Sequence, residues 1–343
     1  MASHRRPKQP SRTRVTVLTA TAAAAVALTS QAANAAPSAK PSKDEVKAKV
    51  DKLYEEAEHA TEEYNGAKEK QQKLEKQIDN LQDKVARGQD ELNELRDGLG
   101  TLASAQYRSG GIDPSVQLFL SSDPDDYLDK ASTLDQLSSQ QVEALRKIQE
   151  KQRSLAQQRQ EAADKLADLA TTRKELRENK EQIQSKLAEA QKVLNSLTAA
   201  EKAALAAEEE RANRASARSA LGGGQAASGR AASAYSAAQS KLGSPYVYGA
   251  SGPSSFDCSG LTSWAYAQAG VSIPRTSQAQ ANIGTRIYSQ SDLRVGDLVF
   301  FYSDLHHVGF YAGNGQILHA PKPGAVVRYE SINNMPFQFG VRV

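Results

Sequence analysis

Apolar residues recur in alternating steps of four and three along the first half of the chain, which is the spacing of one face of a long helix. The series begins at Val46, ends at Leu102 and is interrupted by Gln71 and Gly88. Its other members are Val50, Leu53, Ala57, Ala60, Tyr64, Ala67, Leu74, Ile78, Leu81, Val85, Leu92, Leu95 and Leu99. This heptad pattern predicts a long coiled-coil helix.

A second, narrower apolar seam runs from Leu145 to Leu197. One of its two heptad positions is apolar throughout, whereas the other is half polar, with Gln152, Arg159, Arg173 and Lys180. A narrow stripe suits a single partner helix. We therefore expect an antiparallel hairpin with the first helix, and pairing between two chains is the alternative.

Residues 107–133, between the two seams, break the heptad pattern. Gly110-Gly111 interrupts the helix, and Asp113-Pro114 and Asp123-Pro124 each combine an N-cap with a proline at the first helical position. Two short helices that carry apolar residues are therefore predicted. Those residues either cap the end of the hairpin and bury one another, or form a docking site for a partner.

Aromatic residues separate this helical part from the C-terminal third, because 15 of the 20 lie from Tyr235 onward. The stretch over residues 216–233 is rich in Ala, Ser and Gly and predicts a flexible linker. We therefore expect a coiled-coil domain over residues 36–215 and a globular domain over residues 234–343. The predicted fold class is α+β: a long helical hairpin followed by a small domain with N-terminal helices and an antiparallel sheet.

Residues 1–35 have the pattern of an export signal. Five cations precede an apolar stretch from Val15 to about Thr29, and Ala33-Asn34-Ala35 resembles a cleavage site. An uncleaved anchor is the alternative, although the stretch is shorter than the ~20 residues that span a bilayer. Without this leader, the 43 basic residues of the chain fall to 38 against 40 acidic ones, a balance that gives no support to nucleic-acid binding.

Cys258 is the only cysteine, so no internal disulfide can form. In an exported protein, a single cysteine is either an intermolecular bridge or a functional thiol. Asp257 is placed to cap a helix that begins at Cys258 and ends near Gly270. The unpaired backbone N–H groups of a first helical turn favour a thiolate, which a nucleophile requires. A buried, inert thiol is the structural alternative.

Three of the five histidines lie close together in a strand-rich segment. His306 and His307 begin a predicted strand, Gly313-Asn314-Gly315 predicts a hairpin turn, and His319 lies on the returning strand. A three-residue loop would place His307 opposite His319, whereas a two-residue loop would offset them by three residues unless a bulge intervenes. The histidines are structural, or they act with Cys258 in catalysis, or they bind zinc with it, although no CxxC or HExxH pair accompanies them.

The motifs PYVYGA, FDCSGL, PRTSQAQ, VGDLVFF, HHVGFYAGNG and ILHAP follow one another between residues 235 and 343, and in this order they resemble the NlpC family. Members are secreted cell-wall cysteine endopeptidases with a reduced papain-like fold that cleave peptidoglycan stem peptides, commonly between D-glutamate and a diamino acid. The resemblance implies that Cys258 is the nucleophile, His307 the general base and His319 the residue that orients the base. It implies no metal and no cofactor.

The same resemblance places Tyr246 near the oxyanion site and Arg275 near the cleft, where Arg275 either meets a substrate carboxylate or is solvated. The backbone amide of Ser259 is a second candidate for the oxyanion site. Asp257 is expected to be a helix cap rather than a catalytic acid. His306 is expected to face away from the site, because side chains alternate along a strand.

These predictions together describe a secreted, cell-wall-associated endopeptidase whose coiled coil regulates or localises it. Peptidoglycan is the expected substrate, and a membrane-bound division or wall-remodelling protein is the expected partner of the coiled coil. One alternative is a coiled-coil scaffold with a wall-binding domain. Another is an amide or acyl transferase that uses the same residues on a different substrate. Whether the coiled coil covers the cleft depends on tertiary structure.

Overall fold

The computed structural model of the protein describes residues 40–108, 116, 120, 124–220 and 229–343. Residues 42–343 form one compact unit. Its helices are α1 (Lys43–Arg108), α2 (Pro124–Leu194), α3 (Ala199–Ala220), α4 (Gly229–Gln239), α5 (Cys258–Gln268) and α6 (Ser277–Gln280). Its strands are β1 (Thr285–Ile287), β2 (Leu298–Phe301), β3 (His307–Gly313), β4 (Gln316–His319), β5 (Arg328–Ser331) and β6 (Phe337–Arg342). Within these residues, no helix combines the length and apolarity that crossing a membrane requires.

Helices α1 and α2 pack along each other as an antiparallel hairpin, which we call the rod. The start of α1 meets the end of α2, and the order reverses along the pair, as shown by the buried clusters Val46–Val50–Ala190, Leu74–Ile78–Leu169 and Leu92–Ile148–Leu155. A Cβ atom added at Gly88 would lie 2.7 Å from a methyl carbon of Leu155. The glycine that interrupts the first seam therefore makes room for a leucine of the second. The predicted helical hairpin is confirmed.

The helix ends differ from those predicted in two places. Helix α2 begins at Pro124, so the second short helix predicted for the tip is the first part of a long helix, and most of the first short helix lies outside the described residues. Helix α3 ends at Ala220 and α4 begins at Gly229, so helices occupy both ends of the predicted linker. Alanine favours helix, and Ala217 and Ala220 pack against the core of the C-terminal domain.

The C-terminal domain is built on an antiparallel sheet with the strand order β1-β6-β2-β3-β4-β5. One face of the sheet packs against α4 and α5, and Tyr266 of α5 stacks on Phe310 of β3 with the ring centroids 5.9 Å apart. The other face carries a smaller apolar cluster of Ile287, Leu293, Val299, Phe301, Ile317 and Ile332. The α+β class, with helices before an antiparallel sheet, is confirmed.

The β3–β4 hairpin sets the positions of two histidines. It closes through the two-residue turn Asn314-Gly315, in which both residues have positive φ (52° and 69°), and a bulge precedes the turn. The resulting register places Gly309 opposite His319, so His307 lies diagonally from His319 on the same face. A Cβ atom added at Gly309 would lie 3.0 Å from Cβ of His319. Glycine therefore leaves room for the His319 side chain between the two strands.

Candidate active site

Cys258 opens helix α5, and Asp257 caps that helix as predicted. The Oδ1 atom of Asp257 accepts a hydrogen bond from the backbone N–H of Gly260 at 2.7 Å. The Sγ atom of Cys258 lies 3.7 Å from the backbone oxygen of His306 and 3.8 Å from Oε1 of Glu62. Only 1% of Cys258 is exposed, so the thiol is covered.

Two histidines and two glutamates form a continuous chain of contacts beside the thiol. The Nε2 atom of His307 lies 2.8 Å from Nδ1 of His319, and Nε2 of His319 lies 3.2 Å from Oε2 of Glu330. The Nδ1 atom of His307 contacts a carboxylate oxygen of Glu58. One ligand atom each of Glu58, Cys258 and His307 lie within 4.8 Å of one another. The structure thus brings together the three residues for which the sequence predicts catalytic roles.

His306 points away from this group. Its Nδ1 atom lies 2.6 Å from Oδ1 of Asp304, and its ring stacks on Tyr302 with the centroids 4.2 Å apart. Its ring also approaches His59 of α1 edge-on, at 6.1 Å. The alternation of side chains therefore separates two adjacent histidines into different environments.

The zinc alternative does not match the geometry. His319 turns Nδ1 toward His307 and Nε2 toward Glu330, so neither nitrogen is directed with Cys258 at a common point. In the part of the chain that the structure describes, one group of metal-ligating side chains lies close together. It consists of Glu58, Cys258 and His307, and His319 is not a member. A hydrogen bond already joins Glu58 to His307, so an ion pair accounts for that contact.

Tyr246 is buried, and its hydroxyl group has no hydrogen-bond partner among the described residues. Burial raises the pKa of Tyr246 well above its ordinary value, and the charge of Glu58 raises it further. The phenol therefore stays protonated. A buried hydroxyl donor without a partner is what an oxyanion site requires.

Ser259 and Arg275 belong to one polar network, so Arg275 is not a solvated side chain. The guanidinium of Arg275 donates to Oδ2 of Asp257 at 2.6 Å and to Oγ of Ser259 at 2.7 Å. The hydroxyl of Ser259 donates in turn to Oε1 of Glu62 at 2.6 Å. Arg275 therefore orients the Ser259 hydroxyl toward a carboxylate in the cleft.

One face of α1 fills the cleft above Cys258. It carries four buried polar residues at helical spacing, which we call the polar stripe: Glu58, Thr61, Glu62 and Asn65. The Glu62 carboxylate accepts from the backbone N–H of Ser277 at 2.7 Å as well as from the Ser259 hydroxyl. Asn65 donates to Oδ2 of Asp257 at 3.1 Å. The rod therefore bonds directly to the residues around the thiol.

The sequence analysis did not identify the polar stripe, because its residues lie beside the apolar positions of the heptad pattern rather than among them. Polar residues there are normally solvated. One signal was available: Gly66 lies inside the long helix, where glycine costs about 1 kcal/mol relative to alanine. A Cβ atom added at Gly66 would lie 3.7 Å from Thr276, so the glycine stands where α1 comes near the C-terminal domain.

The polar stripe also changes the protonation of the site. Burial raises the pKa of the Cys258 thiol well above its ordinary value, and the Glu58 and Glu62 carboxylates raise it further. Burial lowers the pKa of His307, but the Glu58 carboxylate outweighs this effect, and the pKa ends above its ordinary value. Burial, together with the charge of Asp257, raises the pKa of Glu62 to about 7. With the rod in place, the thiol is protonated and the histidine beside it is engaged elsewhere.

Comparison with known proteins places the C-terminal domain in a family. Residues 243–341 match the model of the NlpC/P60 family. A probable endopeptidase of Corynebacterium glutamicum is 49% identical over 106 residues, which are 31% of this chain and 50% of that protein. The probable endopeptidase p60 of Listeria monocytogenes is 41% identical over 97 residues, which are 28% of this chain and 20% of that protein. The chain thus spans half or less of the length of these relatives.

A solved structure covers the same region. The crystal structure of the NlpC/p60 domain of the peptidoglycan hydrolase SagA is 37% identical to the chain, and the match covers 33% of this chain and 98% of that one, with a TM-score of 0.32. These similarities concern the C-terminal third, and the rod lies outside them.

Proposed function

We propose that this chain, in which residues 243–341 are an NlpC/P60 domain, is a cysteine endopeptidase that cleaves peptidoglycan stem peptides and is held inactive by its own rod. One observation carries the proposal. A ring nitrogen of His307 lies within 4.8 Å of the Cys258 sulfur, and His307 contacts His319, while Glu62 of α1 contacts Cys258 and Glu58 contacts His307. A nucleophile with its base is assembled, and a segment of the same chain covers it.

When the rod has left, the same residues can perform amide hydrolysis. Nδ1 of His307 takes the proton of Cys258, and the thiolate attacks the amide carbonyl to form a tetrahedral oxyanion. The Tyr246 hydroxyl and the backbone N–H groups at the start of α5 stabilise that oxyanion. Protonated His307 then gives its proton to the leaving amine, and water hydrolyses the thioester. His319 keeps the base in the required orientation.

The contacts of Glu62 support a substrate that carries a free carboxylate near the scissile amide. Its carboxylate receives hydrogen bonds from the backbone and hydroxyl of Ser277, at 2.7 and 3.1 Å, and from the hydroxyl of Ser259, next to Cys258. A D-glutamate joined through its side chain to a diamino acid retains such a carboxylate. Glu62 therefore occupies the position that this group would take, which favours the D-glutamyl–diamino acid bond expected from the resemblance.

Defined stem peptides test the substrate. The full chain is suitable once Glu58 and Glu62 are replaced with alanine, because removing α3 with the rod would take Ala217 and Ala220 from the domain core. Mass spectrometry should detect cleavage between D-glutamate and the diamino acid. We expect cleavage to slow by about tenfold or more when the free carboxylate is amidated, because the Ser259 and Ser277 donors then lose a charged acceptor.

The variant that also carries Cys258→Ala is the control and should give no cleavage. Products joined to an added amine would favour the transferase alternative. Binding to wall material with no chemistry, by a chain whose thiol is accessible, would favour the scaffold alternative.

The rod is attached to the domain at a second place, beyond the cleft. Lys322 donates to Oδ1 of Asp51 in α1 at 2.6 Å and lies 3.5 Å from Oε1 of Glu209 in α3. These ion pairs are partly exposed and contribute little individually. They join α1 to the domain and to α3 outside the cleft, so that uncovering the cleft would break the contact between Asp51 and Lys322 as well.

The inhibition should weaken as the pH rises. Glu62, which faces Asp257, Arg275 and Cys258, has a pKa of about 7 in the cleft against 4.5 in water, and the pKa of His307, which faces Glu58 and His319, is raised as well. Both groups hold protons more tightly in the covered state. Uncovering therefore releases protons, and raising the pH favours it between the solvated and the covered pKa values.

We expect the native chain to gain up to about a hundredfold in rate relative to the chain with Glu58→Ala and Glu62→Ala between about pH 5 and pH 8, since each pKa unit between 4.5 and about 7 corresponds to tenfold. Taking the ratio at each pH removes the pH dependence of the chemistry itself. A constant ratio would contradict proton-linked uncovering.

Export and wall association are also part of the proposal and are supported by the leader pattern of residues 1–35. A partner that binds the rod would provide a means of uncovering the cleft. The side chain of Tyr107 at the end of α1 is 86% exposed, and Leu120 is 73% exposed, which supports the tip as the place where a partner such as a membrane-bound division or wall-remodelling protein binds.

A further inference from the structure

Glu330 of β5 carries a half-buried carboxylate to which neither the resemblance nor the proposed reaction assigns a role. Its Oε2 atom lies 3.2 Å from Nε2 of His319 and accepts a hydrogen bond from Arg328 at 2.9 Å. Its Oε1 atom accepts from the side-chain amide of Asn334 at 3.1 Å. Three neighbours thus fix the orientation of this carboxylate.

The contact between Glu330 and His319 determines where the protons of both histidines lie. A neutral imidazole has one N–H, and a carboxylate accepts but does not donate, so the proton of His319 is on Nε2. Nδ1 of His319 is then an acceptor and takes a hydrogen bond from Nε2–H of His307, 2.8 Å away. Neutral His307 therefore has its lone pair on Nδ1, the nitrogen beside Glu58, and a ring nitrogen of His307 lies within 4.8 Å of the Cys258 sulfur.

We propose that Glu330 is a positioning residue for catalysis: through His319 it holds His307 in the tautomer that can accept the proton of Cys258. The set is then a line of four side chains, Cys258, His307, His319 and Glu330. No proton leaves His319 in the reaction, and Glu330 remains ionised throughout.

The ionisation of the outer pair agrees with this arrangement. Burial raises the pKa of Glu330, but the contacts with His319 and Arg328 outweigh it and hold the pKa well below its ordinary value. Burial lowers the pKa of His319 to about 4, against the opposing effect of Glu330. Near neutral pH, Glu330 is therefore an anion and His319 a neutral imidazole, the state in which a single tautomer can be selected.

Two other roles for Glu330 predict different behaviour. It could serve only to pair with Arg328, in which case its loss affects stability alone. It also borders a cavity of about 480 Å³ between the domain and the rod, so it could instead contact substrate. A substrate contact would appear in KM, whereas a positioning role appears in kcat.

The test uses the full chain with Glu58→Ala and Glu62→Ala as the parent. This background is necessary because Glu58 raises the pKa of His307, and a protonated His307 would fix the tautomer of His319 without Glu330. Nitrogen NMR of the histidine rings at about pH 8 should show the proton of His319 on Nε2 in the parent. With Glu330→Ala, a substantial fraction should move to Nδ1.

The rate of Cys258 alkylation against pH provides the second measurement. We expect Glu330→Ala to lower the alkylation rate near pH 7 and kcat by roughly 10- to 100-fold, with little change in KM. Losses of this size are typical when a residue that hydrogen-bonds a functional histidine is replaced. Glu330→Gln keeps an acceptor but loses the charge, so its losses should be smaller, and its alkylation profile should still move to higher pH. Asn334→Ala is the matched control, because it removes a partner of Glu330 but leaves the contact with His319.

The proposal is overturned if Glu330→Ala retains the parent tautomer and alkylation profile, or if its effect lies in KM. Should Glu330→Ala fail to fold, Glu330→Gln provides the test. If its alkylation profile against pH superimposes on that of the parent, the positioning role of Glu330 is rejected. Neither the NMR nor the alkylation measurement requires that the chain hydrolyse peptidoglycan. A failure of the proposed substrate would therefore be distinguishable from a failure of this inference.

Discussion

Replacing both Glu58 and Glu62 with alanine should increase the reactivity of Cys258 toward an alkylating reagent at neutral pH by about a hundredfold. Removing one partner of a buried hydrogen-bonded charge typically costs about 3–5 kcal/mol, and each 1.4 kcal/mol is tenfold in an equilibrium. The thiol also loses two carboxylates that raise its pKa. Hydrolysis of isolated wall material by the full chain should increase in parallel.

The matched control is Glu63→Ala with Glu69→Ala, since both glutamates are exposed on the helix that carries the polar stripe. The control should alkylate at the native rate, and each chain should keep its helical content by circular dichroism. If native, control and double-variant chains react equally fast, the rod does not restrain the thiol and the autoinhibition proposal is wrong.

Replacing His307 with alanine should cost about 10²–10⁴-fold in the rate of peptide cleavage, the usual contribution of a positioned general base. The comparison is made in the chain with Glu58→Ala and Glu62→Ala, so that covering of the cleft does not limit the rate. Steady-state cleavage of a stem peptide is the measurement. The bell-shaped pH profile should lose the limb that reports the histidine.

His306→Ala is the control for this experiment, because His306 is the preceding residue and its ring contacts Tyr302 and Asp304 instead. We expect its rate to remain within about threefold of the parent, as for a substitution outside the reacting groups. Equal losses in the two variants would mean that the effect is structural and that His307 is not the base.

Much of the fold follows from periodicity that a single sequence displays. The seam from Val46 and the narrower seam from Leu145 contain enough apolar positions to predict two helices and to favour an antiparallel hairpin over pairing between two chains. The end of α3 was not predicted, because an Ala- and Ser-rich segment reads as a linker until Ala217 and Ala220 are seen against the domain core. Local composition does not show what a helix packs against.

The residues of the site likewise fall into those that the sequence indicates and those that it does not. Cys258 was identifiable because it is a lone thiol after a helix cap, and His307 and His319 because a hairpin turn separates them. The bulge that makes them diagonal neighbours was one of the open alternatives. Glu58 and Glu62 carry no local mark of function, since their partners lie about 200 residues away along the chain.

Under the proposed inhibition, the polar stripe would act as a tethered competitor with a fixed local concentration, because it belongs to the same chain as the cleft. For a flexible short tether such concentrations are about millimolar, and they do not fall when the protein is diluted. Additional substrate would therefore displace the polar stripe only where the concentration of stem peptides approaches this effective concentration. A partner or a mechanical force that pulls the rod from the cleft would therefore activate the protein more effectively than additional substrate. Activity would be located where the rod is displaced rather than where the wall is thickest.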